Sequence, residues 1–277
     1  ETGTENEDQI ASRVDEFCGE FFMQMMGLLG KRTAELHLAL SADKDDPDFT
    51  PEAFSVLYQR SVYQSMKTLK KQVFRLMDQN ISRYTGELRQ SAAMVLGWEK
   101  KILAVFSRIL EKKISARKIR IHGDYHLGQV LFTGKDFMII DFEGEPARPL
   151  SERRLKRSPF RDVAGMVRSI HYAAYGGFFK YIEQRNEDRE FLEPWISRWY
   201  HHVSGIFLLN YLETADGAAF IPSNKKDLEV LLEVFLLDKA IYELGYELNN
   251  RPDWIRIPLE GIEFIITNAE RKPGSQQ

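Results

Sequence analysis

The hydrophobic period of this chain changes once, near Lys118, and that change limits the folds open to it. Upstream, apolar residues recur at helical spacing. From about Asp8 to Leu40 they put Val14, Phe17, Phe21, Met25 and Leu28 on one side. The Asp- and Pro-rich stretch from Ser41 to Pro51 breaks the pattern and reads as a loop. Pro51 suits the start of a helix over about 52–80, and another covers about 84–113. Strong helix formers dominate and β-branched runs are few. From Lys118 the pattern shortens. Ile119-Arg120-Ile121 alternates, and Val130-Leu131-Phe132 and Phe137-Met138-Ile139-Ile140 flank Thr133-Gly134-Lys135-Asp136, which predicts a β-hairpin. Helices resume with Ser158 as N-cap and Pro159 at the first helical position, over about 160–183, 188–213, 224–248 and 259–270. The expected fold is mainly α with one small β insert.

That insert carries the chemistry. His122-Gly123-Asp124 leads into it, Gln129 follows Asp124 by five residues, and Asp141 ends the second apolar run. A phosphoryl transferase needs such a set: a loop carboxylate to take the proton of the attacking hydroxyl, and an amide oxygen and a second carboxylate to hold Mg²⁺ on ATP phosphates. Glu143 is a further acid near the metal. A bland alternative is a capped turn followed by a strand-terminal Asp, but the two acids, the amide and the hairpin together weigh against it. His122 more reasonably orients the loop backbone than acts as base, since Asp124 fills that role. Asp162 falls in the first turn of the helix after Pro159. There it either offsets the helix dipole or reaches the catalytic loop to accept its N–H groups. Clustered Cys and a His-Glu-x-x-His pattern are missing, which speaks against zinc. Gly134-Lys135 is no phosphate loop, because Gln129 stands where the first Gly belongs.

Composition narrows the partners. With 277 residues, one large domain or two small ones fit. Net charge of −3 gives no reason to expect nucleic acid or a membrane surface. No apolar run approaches the roughly 18 residues of a membrane span, and no signal peptide is visible. The single Cys18 rules out an internal disulfide and fits a reducing, cytoplasmic setting. The run Arg153, Arg154, Lys156, Arg157 reads as a solvated loop.

The His-Gly-Asp loop resembles that of the aminoglycoside-phosphotransferase-like kinases, whose metal-binding amide also stands five residues after the Asp. Three longer strings are similar to the maltokinases, which also occur fused to the C-terminal end of trehalose synthases: His122 to Leu131, Asp141 to Arg154, and Ser158 to Arg168. Arg32-Thr33-Ala34-Glu35-Leu36-His37-Leu38-Ala39-Leu40 and Leu57 to Ser61 fit the same family. The resemblance runs from about residue 30 to about 260. It implies ATP-dependent phosphorylation of maltose to maltose 1-phosphate with Mg²⁺. Gln129, where many kinases have Asn, matches the narrower family.

The resemblance also implies a sugar site at Lys239, Tyr242 and Tyr246, which share one face of a predicted helix at i, i+3, i+7. Spacing alone favours a core stripe, with Lys239 paired to Glu243 on the surface. Arg251 and Trp254 follow in a turn. Kinases of this kind carry an N-terminal β-rich lobe with a phosphate-covering loop and a Lys–Glu pair. Nothing before Asp124 reads that way. Residues 1–117 are therefore expected to be a helical intermediate part and 118–277 the catalytic core, the chain being a C-terminal lobe with little activity by itself. Two other readings stay open: a kinase of another small alcohol, and a non-catalytic sugar-binding or docking module.

Overall fold

The computed structural model describes residues 18–43, 45–145 and 149–271, with Val14 and Glu16. Phe17, and Pro146 to Arg148 of the second string, lie outside the described residues. The fold is mostly helical. In chain order it comprises α1 (Glu20–Ala39), β1 (Glu52–Ala53), α2 (Val56–Asn80), α3 (Gly86–Gly97), α4 (Glu99–Ser107) and β2 (Arg117–Lys118). Then follow β3 (Val130–Phe132), β4 (Phe137–Ile139), α5 (Leu150–Arg153), α6 (Phe160–Ile182), α7 (Arg189–Thr214), α8 (Lys225–Asn250) and α9 (Arg256–Arg271). The later helices match the sequence expectation to within a few residues.

The early boundaries shift, each for a local reason. Pro51 does not open a helix. It precedes β1, which pairs antiparallel with β2, and the helix starts after Ser55, whose hydroxyl accepts the Tyr58 N–H. The helix expected over 84–113 breaks at Trp98 into α3 and α4. Gly19, at φ 80°, marks the start of α1. The buried face of α1 is not the expected stripe. Phe21 is exposed, and Met23, Met26, Gly27, Leu29, Gly30, Thr33, Ala34 and His37 turn inward.

The chain divides into two compact units, each discontinuous in sequence. Each draws on residues from both sides of 117/118.

The first unit holds residues to Thr50, Ile119–Leu155 and Ser169–Ala218. In it α1 packs along α7. Gly30 allows the approach: a Cβ there would lie 2.2 Å from the Phe207 carbonyl oxygen. Val203, Phe207 and Tyr211 of α7 are fully buried, and His37 Nδ1 meets the Tyr211 hydroxyl at 2.9 Å. The β3–β4 hairpin pairs Val130 with Ile139, Leu131 with Met138 and Phe132 with Phe137.

The second unit holds Pro51–Lys118, Lys156–Arg168 and Ala219–Gln277. Its central helix is α8, packed by α2 and α9, with Leu231, Val234, Phe235, Leu237, Ala240, Ile241 and Leu244 almost wholly buried. A charge lies inside this core. Arg168 is 1% exposed, and its Nε donates to Glu243 Oε2 at 2.8 Å, with Nη2 at 2.8 Å from the same oxygen. Such a pair holds only because each charge has its partner; one left alone in a dry core costs several kcal/mol.

Candidate functional site

The His-Gly-Asp loop is fixed from both sides of Asp124. His122 is 1% exposed. Its Nε2 donates to the Ile140 carbonyl at 2.8 Å, and its Nδ1 accepts the Asp124 N–H at 3.4 Å. A carbonyl only accepts and an N–H only donates, so the two bonds set the tautomer. Both ring nitrogens are thereby engaged, and the imidazole is a brace between the loop and the hairpin rather than a base. On the other side, Tyr125 is 3% exposed and its hydroxyl donates to Thr33 Oγ1 at 2.9 Å, while Thr33 Oγ1 donates to the Leu29 carbonyl at 2.8 Å. The Tyr125 ring lies against His122, 5.2 Å between centroids. Asp124 itself keeps its carboxylate a quarter exposed.

His126 has a role that the sequence left unassigned. Its Nδ1 accepts the Gly128 N–H at 3.1 Å and caps a short 3₁₀ turn, Leu127–Gln129. That bond turns the Nε2–H toward Asp124, whose Oδ2 lies 3.9 Å away. The turn is held from below by Ser169 Oγ, which accepts the Leu127 N–H at 3.0 Å. It ends on Gln129, whose carbonyl accepts the Ile140 N–H at 3.0 Å. The candidate metal amide and the candidate metal acid are therefore tied through the hairpin backbone one residue before Asp141.

Asp141 is exposed and sits at φ 58°, a left-handed conformation that a non-glycine residue adopts at a cost of order 1–3 kcal/mol. Its carbonyl accepts the Glu143 N–H at 2.7 Å, closing a tight turn. The turn then meets the catalytic loop. Gly123 (φ 87°) and Gly144 (φ 75°) come together so closely that a Cβ on Gly123 would lie 3.2 Å from the Gly144 Cα. Two glycines thus let the Asp124 loop and the Asp141 turn touch backbone to backbone. Glu143 is exposed, with Arg153 Nη1 3.9 Å away.

Gln129 and Asp141 offer one amide oxygen and one carboxylate, and neither side chain has a partner among the described residues. Among the described residues no group of three or more His, Cys, Asp and Glu forms a metal cage. Mg²⁺ fits this donor set. It is a hard cation that takes one or two carboxylates and completes its octahedron with water and substrate phosphates.

The second candidate set lies in the second unit. Lys239 and Tyr242 are half-buried and Tyr246 is exposed; Lys239 Nζ stands 4.8 Å from the Tyr242 ring centroid. The surface pair Lys239–Glu243 does not form, because Glu243 turns inward to Arg168. Arg251 extends the face. It donates in a fork to the buried Glu247, Nε to Oε2 at 2.9 Å and Nη2 to Oε1 at 2.7 Å, and its guanidinium lies 5.7 Å from the Tyr246 ring and 4.9 Å from that of Trp254. Asp162, in the first turn of α6, is 2% exposed and belongs to this unit.

No protein-family model matches the chain. Among curated proteins, a glucosamine kinase of Streptacidiphilus jiangxiensis is 24% identical over 185 residues, 64% of this chain and 40% of that protein. A glucosamine kinase of Mycolicibacterium smegmatis is 46% identical over 54 residues, 19% of this chain and 13% of that protein. The chain thus spans less than half the length of either. Among solved structures, one of a glucosamine kinase in complex with glucosamine, ADP and inorganic phosphate superposes with a TM-score of 0.67 at 18% identity, over 95% of this chain and 61% of that one. A second crystal form of a glucosamine kinase gives 0.69 over 95% and 59%. The fold is therefore that of the corresponding part of the glucosamine kinases. Among the described residues, no helix is long and apolar enough to cross a membrane.

Proposed function

We propose that this chain is the phosphoryl-transferring and sugar-holding part of a cytoplasmic ATP-dependent sugar kinase, with maltose as acceptor and maltose 1-phosphate as product. The observation that carries the reading is the backbone contact of Gly123 with Gly144, which joins the Asp124 loop to the Asp141 turn. Asp124 takes the proton of the attacking sugar hydroxyl. Gln129 and Asp141 hold Mg²⁺, which when bound neutralises charge on the ATP phosphates. Glu143 adds negative charge beside that site. His122 supports the loop. Lys239 donates hydrogen bonds to sugar hydroxyls, and Tyr242 and Tyr246 supply flat faces and phenolic donors. The maltokinase resemblance supplies maltose and the anomeric position. It also supplies two further parts of the parent protein, a nucleotide-binding N-terminal lobe and, in the fused form, a trehalose synthase domain.

The names of the matched relatives favour a second reading, in which the acceptor is an amino sugar such as glucosamine. Calorimetric titration of the chain with maltose, trehalose, glucose and glucosamine separates the two. Maltose binding that falls in Tyr242→Phe and Tyr246→Phe variants is expected. Binding of glucosamine without maltose replaces the first reading by the second. Indifference to every sugar sinks both.

A further inference from the structure

Two adjacent residues of α1 hold the segment that carries Asp124, Gln129 and Asp141 at two points, just after Asp124 and at the hairpin turn. Thr33 is fully buried and receives the Tyr125 hydroxyl, one residue after Asp124. Arg32 reaches the hairpin turn, Nε to Asp136 Oδ1 and Nη2 to Asp136 Oδ2, both at 2.8 Å. This is a two-point fork, which fixes direction as well as distance. Arg32 is itself steadied by Glu35, at 2.5 Å from its Nη1. Asp136 in turn organises the hairpin. Its Oδ1 accepts the Phe137 N–H at 2.7 Å, and its carbonyl accepts the Thr133 N–H at 2.8 Å. The helix offering these groups cannot slide freely, because Gly30 seats it on the α7 backbone.

We propose that Arg32 and Thr33 are positioning residues that set the separation of Asp124 from the metal-holding pair Gln129 and Asp141. The proposal rests on the assignment of those three residues above. A loop and a hairpin joined through the short Leu127–Gln129 turn, the His122 bond to Ile140 and the glycine contact can hinge about that joint. Anchoring the loop at Thr33 and the far end of the hairpin at Arg32 removes the hinge. Arg32 is a cation turned to Asp136 and Glu35, and the Thr33 hydroxyl is taken up by Leu29 and Tyr125, so both act through the geometry of others. Groups that hydrogen-bond a metal ligand directly change its affinity by about 10–100-fold when lost, and Arg32 and Thr33, one residue further out, belong at the lower end of that range.

The test uses the full chain with Mn²⁺ as probe, its binding followed by electron paramagnetic resonance. Hydrogen exchange of the 125–129 and 137–141 amides is measured alongside. Four variants serve: Thr33→Val, which keeps the shape and drops the hydroxyl; Thr33→Ser, which restores the hydroxyl; Arg32→Lys, which keeps the charge and drops the fork; and Asp141→Asn as the ligand control. Thr33→Val and Arg32→Lys are expected to weaken Mn²⁺ binding about tenfold or more and to speed exchange in both segments. Thr33→Ser is expected to restore the affinity whether or not it restores the unfolding midpoint, which separates positioning from plain stability. Mn²⁺ affinity unchanged in Thr33→Val and Arg32→Lys, while Asp141→Asn abolishes it, overturns the proposal and leaves the metal assignment standing. Mn²⁺ affinity unchanged in Asp141→Asn overturns the metal assignment and the proposal with it.

Discussion

At the scale of single residues, this chain places charge where its sequence gives no warning of it. Arg168 stands in a run of apolar residues on α6, and Glu243 stands between Tyr242 and Leu244 on α8; nothing in either string says that they meet. A charged residue at a core-facing helix position is legible as an exception, but its partner comes from far along the chain and spacing cannot supply it. The pair gives a sharp prediction. Glu243→Gln takes the Glu243 charge away from the buried guanidinium and should cost about 3–5 kcal/mol in urea denaturation. Replacing both by apolar residues of similar volume, Arg168→Met with Glu243→Leu, should recover most of that loss. The candidate catalytic residues were legible for the opposite reason. Asp124, Gln129 and Asp141 lie within one short stretch, so chain spacing alone brings them near one another. The braces were not legible: Thr33 and Tyr125 are 92 residues apart. The string that contains Arg32 and Thr33 stood out by resemblance, without a physical role.

At the scale of elements, the helices after Ser158 could be read from the sequence because strong caps and long periodic runs agree. Ser158 and Pro159 open α6, and Asn224 caps α8 through its side-chain oxygen on the Lys226 N–H. The face of α1 could not be read, because its packing rests on glycine rather than on an apolar stripe. Gly27 and Gly30 face α7, and the aromatic Phe21 is left outside. Gly30→Ala should therefore destabilise the chain by about 1–3 kcal/mol in denaturant titration, despite the better helix propensity of alanine, since the new methyl has backbone against it. The hairpin has a pH signature. The Arg32 guanidinium, with help from the Phe137 N–H, holds the Asp136 carboxyl down at about 2 against an ordinary 3.8. A depressed acid contributes fully above its unfolded value and loses the contribution as pH falls through the folded one. Amide protection at Thr133 and Phe137 should thus stay level from neutral pH to about 4 and fall between about 4 and 2. Asp136→Asn should remove that step.

At the scale of the whole molecule, shifted carboxylates pull on stability in opposite directions. Glu52, between Lys118 and Lys156, and Glu99, beside Lys70, both have lowered pKa values, so their stabilisation fades as the medium becomes acid. Glu263 on α9 is the opposite case. It is half-buried, has no ion-pair partner among the described residues, and burial pushes its carboxyl up. Below the ordinary glutamate range it is protonated in both folded and unfolded chains and has no effect on stability. As pH rises from there through the raised folded value, the unfolded chain loses its proton first and the folded state is progressively disfavoured. Above the folded value the penalty is complete. Glu263→Gln keeps the shape without the charge. It should leave the thermal midpoint nearly unchanged at pH 4 and raise it at pH 7, the gap opening across that window and then holding level. Calorimetric scans of both chains at half-unit pH steps measure this directly. A variant no more stable at pH 7 than at pH 4, relative to the parent, would show that the Glu263 carboxylate is adequately solvated in the folded chain.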